Sequence, residues 1–433
     1  MEQVTGRRSE HAAQGRGSTN DSSVTRTVAL VTVVVGAMAF AVIAALRVPW
    51  DVVPGRLPDV RPGEVFTSAQ LREADHLAGW SRAWSWSSLA VSLLVALWLG
   101  FGRRGRAAVE RLRGPWPVRL VVAVVGLTLI GTLVTLPFGI ALRQLRLDAG
   151  LAAGSWAAWG VDVLTADLVR VVATTIGLAA LIGCARALPR LWPLVAGLGA
   201  AVLVVLGSFV YPVLVEPLSN NFDSLPEGPL RQDVLALARA EGVKVDDVLV
   251  ADASRRTTTL NAYVSGFGDT RRVVLYDTLV DGTPRSEVLT VVAHELAHAR
   301  YDDVLTGTAL GAAGAMAGVG LLGLLLTGRR RGMSPAEVAA VPRVLALVAA
   351  GSLLALPLQN TISRQLEMRA DRTALEYTRD PAAFSAMQDR LSTRAKADPT
   401  PPAWSQFWFG SHPTVLQRIG LARLLASSGD AGD

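Results

Sequence analysis

Apolar residues gather in seven runs along the 433-residue chain, at 28–46, 83–101, 120–140, 171–185, 194–215, 304–327 and 344–358. A helix crossing about 30 Å of hydrocarbon needs about 20 residues, so the five longer runs can span a bilayer unaided. The runs at 171–185 and 344–358 are short. Beside five complete spans they read as membrane helices extended by polar neighbours, with Asp167 and Arg170 turned to the protein interior or to water. The pattern predicts a mainly α, polytopic membrane protein with about seven transmembrane helices.

The runs divide the chain. Residues 27–215 form a membrane region of about five helices, and 304–359 add two more. Two polar regions remain, 216–303 and 360–426. In the first, Val234, Leu235 and Leu237 give 231–240 the apolar face of a helix. Strands are predicted at 248–250 and 272–276, with 257–264 as a third. A helix follows Thr283-Pro284 and runs toward the sixth span, and 360–378 continues the seventh span as helix. Residues 1–26, rich in Gly, Ser, Gln and Arg, and residues 427–433 read as disordered tails. The run at 28–46 follows a long mixed-charge leader and reads as a retained anchor rather than a cleaved signal.

Composition agrees with the membrane reading. The chain is 51% hydrophobic and only 18% charged, with a mean hydropathy of +0.36, too apolar for an ordinary soluble enzyme. A net charge of +6 raises nucleic acid as a partner. The distribution excludes it, because the 40 arginines (against 2 lysines) are spread widely and are densest beside the spans. Arg103, Arg104, Arg106, Arg111 and Arg113 lie between spans two and three, and Arg329, Arg330 and Arg331 between spans six and seven. Positive charge marks cytoplasmic loops, which places both polar regions outside. The single cysteine, Cys184, predicts no intrachain disulfide.

The chemistry is concentrated in His294-Glu295-Leu296-Ala297-His298, in a chain with only five histidines. On a helix the two histidines project from one face, close enough to hold one Zn²⁺. Glu295 sits about 100° round from His294 and can reach a metal-bound water without being a ligand. The apolar run Val288-Leu289-Thr290-Val291-Val292-Ala293 makes this a buried helix, and unpaired imidazoles there would be costly unless something binds them. A third ligand is needed. Glu367 could supply it, with Asp371 accepting the second ring N–H of a ligating histidine. Spacing leaves a plainer alternative open, in which both acids pair with Arg364, Arg369 or Arg372 on a solvated helix.

Ordered motifs surround this core: Ser254-Arg255-Arg256, Asn261-Ala262-Tyr263, Gly266-Phe267, the run from Arg272 to Leu279, S-R-x-x-E-x-x-A-D at 363–371, and Ser411-His412-Pro413 with Arg418-Ile419. Together they resemble the membrane-embedded zinc peptidases of the Ste24/CAAX prenyl protease type, peptidase family M48. The resemblance runs over roughly residues 60 to 425 and is weak in the upstream third. It implies a small α+β zincin-like catalytic domain, Glu367 as third ligand beside His294 and His298, and Asp371 behind the metal. It also implies His412 near the zinc to stabilise the oxyanion, and Asn261-Ala262 on an edge strand that pairs with substrate backbone. The plainer alternatives are a helix-entry histidine beside Pro413 and an ordinary sheet edge. Arg418 would orient His412 or the site carboxylates, or else be a solvated arginine. The resemblance implies a cytosolic catalytic side, opposite to the reading from loop charge.

The function this supports is a membrane-embedded zinc metalloendopeptidase with one Zn²⁺ per chain, acting on a peptide or protein substrate associated with the membrane. The Arg-over-Lys, Ala, Gly and Val bias points to a GC-rich, bacterial genome. That favours turnover of damaged or mis-inserted membrane proteins over C-terminal processing of lipidated CAAX proteins. A seven-span transporter or receptor with a structural zinc is the rival, and it gives Glu295 no role.

Overall fold

The computed structural model describes residues 3–210, 221–266, 268–327 and 334–429. Helices dominate. The membrane part opens with α1 (Gln3–Arg47), the single turn α2 (Pro62–Val65), α3 (Ser68–Phe101), α4 (Arg103–Glu110), α5 (Trp116–Asp148), α6 (Trp156–Ala187) and α7 (Trp192–Val210). The polar region follows with β1 (Phe222–Ser224), α8 (Pro229–Ala240), β2 (Asp247–Ala251), β3 (Ala262–Ser265), β4 (Arg272–Tyr276), α9 (Asp277–Val280) and α10 (Arg285–Arg300). Next come α11 (Asp303–Leu326), α12 (Val341–Thr378), α13 (Pro381–Ala395), α14 (Ala403–Phe409) and α15 (Val415–Gly429).

Seven described helices are long and apolar enough to cross a membrane: α1 from Ser22, α3, α5, α6, α7, α11 and α12. The two short apolar runs belong to long helices, α6 of 32 residues and α12 of 38. Their polar residues do not stop the helix, because their groups are satisfied. Asp167 accepts from Thr132 Oγ1 of α5 at 2.7 Å and pairs with Arg170 at 2.7 Å. Local caps fix the helix starts. Thr67 and Gln70 form a reciprocal capping box at α3, and Ser155 Oγ accepts from the Ala158 N–H at 3.1 Å at α6. Helices α1 and α11 meet backbone to backbone: a Cβ on Gly36 would lie 2.6 Å from Ala317 N, and one on Gly320 2.7 Å from Val33 N. Small residues permit that approach, as is usual where membrane helices pack tightly.

Some sequence-drawn boundaries move. Residues 3–26, expected as a disordered tail, belong to α1, and Thr25 is buried there with its hydroxyl donating to Pro189 O. At the other end α15 runs to Gly429, while 430–433, like 211–220 and Arg329 to Arg331, lie outside the described residues. Of the strand expected at 257–264, only its last part forms β3. Thr257 and Thr258 instead donate to Leu151 O and Gly150 O, at 3.3 and 2.8 Å, in the α5–α6 connection. A hydroxyl that finds a carbonyl competes with the sheet ladder.

The sheet has the order β1-β2-β4-β3, with β2 and β4 parallel and the flanking strands antiparallel. Its apolar face, with Val248, Val273 and Leu275, packs on Val288, Val292 and Leu296 of α10. A second core joins Ala293 of α10, Met368 and Ala374 of α12, Phe384 of α13 and Leu421 of α15. It fixes the elements that carry the site. At the far end of the bundle α4 rests on Val338–Ala340, and Arg186 donates to Ala336 O at 2.8 Å. The connections after α3, α6 and α11 therefore share one face. Those after α1 and α5 instead meet the polar domain, through Val52 in the second core and Leu151 beside Thr257.

Candidate metal centre and active site

Helix α10 starts just after Pro284 and is tied in its first turn by Glu287 to Arg390 of α13 at 2.6 Å. Its register then points His294 and His298, one turn apart, toward α12. There the two Nε2 atoms approach to 3.2 Å, and Glu367 closes the group, with Oε2 3.2 Å from His294 Nε2 and Oε1 3.6 Å from His298 Nε2. One donor atom from each of the three residues lies within 4.8 Å of the others. His294 and Glu367 are buried, at 7% and 9% exposure, so their convergence is not a solvated accident.

The donor set fits a metal ion. Glu367 Oε2 is buried and accepts no hydrogen bond of good geometry. Both histidine Nδ1 atoms are occupied from behind, which leaves both Nε2 atoms for a cation. His294 Nδ1 lies 2.9 Å from Asp371 Oδ1, and His298 Nδ1 lies 2.8 Å from Asp303 Oδ2. With only protons available, burial works to lower the His294 pKa, but Asp371 and Glu367 hold it up at about 10. A cation is wanted at this spot.

Each carboxylate behind a histidine is in turn held by an arginine. Arg418 of α15 donates through Nε to Asp371 Oδ2 at 2.7 Å and through Nη2 to Oδ1. Its place is thus beside Asp371 rather than beside His412. Arg369 of α12 donates to Asp303 Oδ1. The sequence reading had no role for Asp303 and gave Arg369 only a surface pairing. An acid five residues past the second histidine, at the start of a span, is the signal that could have found it.

Glu295 is half-buried and has no side-chain hydrogen bond among the described residues. Burial pushes its carboxyl pKa up, while His294, His298 and Arg418 pull it down and Glu367 raises it. His412 comes from the loop before α15, with Nε2 3.3 Å from Glu367 Oε1 and a side chain 59% exposed. Its Nδ1 meets Ser411 Oγ at 2.9 Å, and its carbonyl accepts from Gln406 Nε2 at 2.7 Å. Arg364, one turn before Glu367, pins the same loop by donating to Gly410 O at 2.6 Å.

Strand β3 is an edge of the sheet and packs on α10. Ala262 is buried opposite Leu275, and Asn261, just before the strand, is exposed while its carbonyl accepts from the Tyr276 N–H at 3.0 Å. One side of β3 therefore has no strand partner among the described residues. Such an edge can pair with an extended peptide.

Comparison with known proteins shows the family. Residues 224–425 match the family model of peptidase family M48, and residues 49–221 match that of the CAAX prenyl protease N-terminal region with five membrane helices. An uncharacterized metalloprotease of Bacillus subtilis, YhfN, is 31% identical over 307 residues, covering 68% of this chain and 70% of that protein. A CAAX prenyl protease 1 homolog of Arabidopsis thaliana is 31% identical over 222 residues, covering 48% of this chain and 51% of its own. The chain thus spans about half the length of that plant relative. The crystal structure of S. mikatae Ste24p shares the fold, with a TM-score of 0.73 at 19% identity over 91% of this chain and 99% of that one. The chain belongs to peptidase family M48, as a membrane-embedded metallopeptidase of the Ste24 type.

Proposed function

We propose that the protein is a zinc-dependent endopeptidase of a bacterial cell membrane that cuts membrane-associated proteins or peptides held in extended form along β3. The observation that carries the reading is the meeting of His294 Nε2, His298 Nε2 and a Glu367 oxygen within 4.8 Å, in a buried place where both Nδ1 atoms are already taken. Nitrogen and carboxylate donors in a set of three suit zinc with an open position. Bound there, zinc would lower the pKa of a water from about 15.7 toward 7 and polarise the scissile carbonyl.

The chain's own residues do the rest. Glu295 takes the proton from the attacking water and delivers it to the leaving amine, a task suited to a carboxyl whose pKa burial has raised. His412, exposed yet 3.3 Å from Glu367, offers its ring N–H to the developing oxyanion. Asp371 and Arg418 hold His294 in one tautomer and orientation. Asn261 and Ala262 present the strand edge, whose main-chain bonds read no side chains and so accept varied sequences. That breadth supports turnover of membrane proteins as the task. C-terminal trimming of lipidated proteins is the second reading, and the name of the plant relative favours it.

Replacing Glu295 by Gln tests the assignment, because it removes the base but no coordinating atom. The purified variant in detergent should keep its zinc and lose cleavage of an extended peptide by about 10²- to 10⁴-fold. Glu367→Gln should instead weaken zinc binding. Wild-type cleavage rates in Glu295→Gln would overturn the mechanism.

A further inference from the structure

We propose that Asp303 and Arg369 form a clasp that sets the position of His298 relative to Glu367, and so couples the metal centre to the start of the sixth membrane span. The inference rests on the metal reading above and adds two positioning residues to it. His298 is the less protected of the two histidines, with 20% of its side chain exposed against 9% for His294, and it stands in the last turn of α10. A ring at a helix end can turn, and either nitrogen could then face the metal. Asp303 removes that freedom. Its Oδ2 lies 2.8 Å from His298 Nδ1, which fixes the proton on Nδ1 and leaves Nε2 as the donor.

The chain goes to some length to bring Asp303 back to that nitrogen. Asp302 adopts the left-handed conformation, with φ 52° and ψ 43°, and a non-glycine residue there carries strain. This one residue breaks α10 from α11 and makes Asp303 the first residue of the span. Arg271, next to β4, holds the turn by pairing with Asp302 at 2.7 Å.

The other oxygen of Asp303 receives Arg369, whose guanidinium also lies 4.1 Å from the Tyr301 ring centroid. Arg369 thus grips two residues of the turn at once. It sits two positions beyond Glu367 on α12, so the helix that supplies the third ligand is tied to the turn that fixes the second. Asp371 of α12 and Arg418 of α15 provide the same arrangement for His294, without involving the sixth span.

Full-length protein in detergent tests this through metal binding alone, by zinc competition with a chromophoric chelator and by the visible spectrum of Co²⁺-substituted protein. Asp303→Asn, whose amide oxygen can still accept from His298 Nδ1 but which gives up the charge facing Arg369, should lower zinc affinity about tenfold and alter the Co²⁺ ligand-field bands. Arg369→Gln should lower affinity by a smaller factor. The double variant should bind no more weakly than Asp303→Asn, because Arg369 acts through Asp303. The Co²⁺ bands supply the readout that a merely structural role would not move, and Arg369→Gln keeps the test open should Asp303→Asn fail to fold. Wild-type protein that takes up no zinc overturns the metal reading and this one with it. Zinc-loaded wild type beside an Asp303→Asn or Arg369→Gln variant of equal affinity and unchanged spectrum overturns the clasp alone.

Discussion

The substitution Asp371→Asn separates the two tasks of the most deeply buried acid among the described residues. Asp371 is fully buried and faces both His294 Nδ1 at 2.9 Å and the Arg418 guanidinium, itself only 14% exposed. Asparagine keeps an oxygen that can still accept from His294, so the tautomer survives and the loss of zinc affinity should fall near the tenfold end of the usual range of about 10- to 100-fold. The charge does not survive. Arg418 is left buried opposite a neutral amide, and removing one partner of a buried pair costs about 3–5 kcal/mol. Tenfold in affinity is about 1.4 kcal/mol, so the stability effect should be the larger. Denaturation of the metal-free protein in detergent, followed by tryptophan fluorescence, measures the first, and chelator competition the second. Adding Arg418→Met should restore much of the stability, since no unpaired charge remains, but not the zinc affinity. If Asp371→Asn unfolds like wild type and the double variant is no more stable than the single, the buried-pair reasoning is wrong.

Asn261→Ala should reduce kcat/KM about 5- to 150-fold, the loss of one or two hydrogen bonds to substrate, with zinc content and thermal stability unchanged; a lowered melting temperature with full specific activity would assign Asn261 to the fold. Single cysteines at Ser334 and Ser224, in a Cys184→Ala background, should report the orientation read from loop charge. Position 334 should resist a membrane-impermeant maleimide in whole cells and position 224 should react, and the reverse pattern would refute it. Glu241 is buried, neither carboxylate oxygen has a hydrogen-bond partner among the described residues, and burial raises its pKa to about 8 against the opposing pull of Arg300 and His294. Its folded form keeps a proton that the unfolded chain loses, so its contribution is full below the unfolded pKa of about 4.5 and declines as pH rises through about 8. Glu241→Gln should therefore raise the melting temperature more at about pH 8 than at about pH 5, and a pH-independent gain would contradict this.

What could be read from the sequence was mostly what a helix fixes by itself. The one-turn spacing of His294 and His298 and that of Glu367 and Asp371 survive any tertiary arrangement, and the apolar stretch before His294 announces its burial. Polar residues inside spans were harder to place, because hydropathy counts Asp167 as a cost and cannot see Thr132 across the helix pair that satisfies it. The strand boundary at 257–264 failed for a similar reason: β propensity is local, and the carbonyls that capture Thr257 and Thr258 lie more than a hundred residues away. Asp303 was missed since its role depends on a single left-handed residue, Asp302, which no periodicity marks.

The division of the proposed ligands between α10 and α12 explains why the candidate centre sits where membrane and polar domain join. Helix α12 passes from the bilayer segment to Glu367 and Asp371 without a break, and α11 departs from the end of α10 through one turn. Sites built on helices hold their geometry better than sites built on loops, because each donor inherits the stiffness of its backbone. Here the backbone is long and doubly anchored, in the apolar bundle around Leu322, Leu326, Val341 and Val344 and in the core around Ala293, Met368 and Leu421. A shift of α12 along its axis would carry Glu367 and Asp371 together, and would strain both carboxylate–histidine contacts at once: His294 directly through Asp371, His298 through Arg369 and Asp303. The proposed catalytic group contributed by a loop is the exposed His412, and that loop is tied to the same helix by Arg364 donating to Gly410 O.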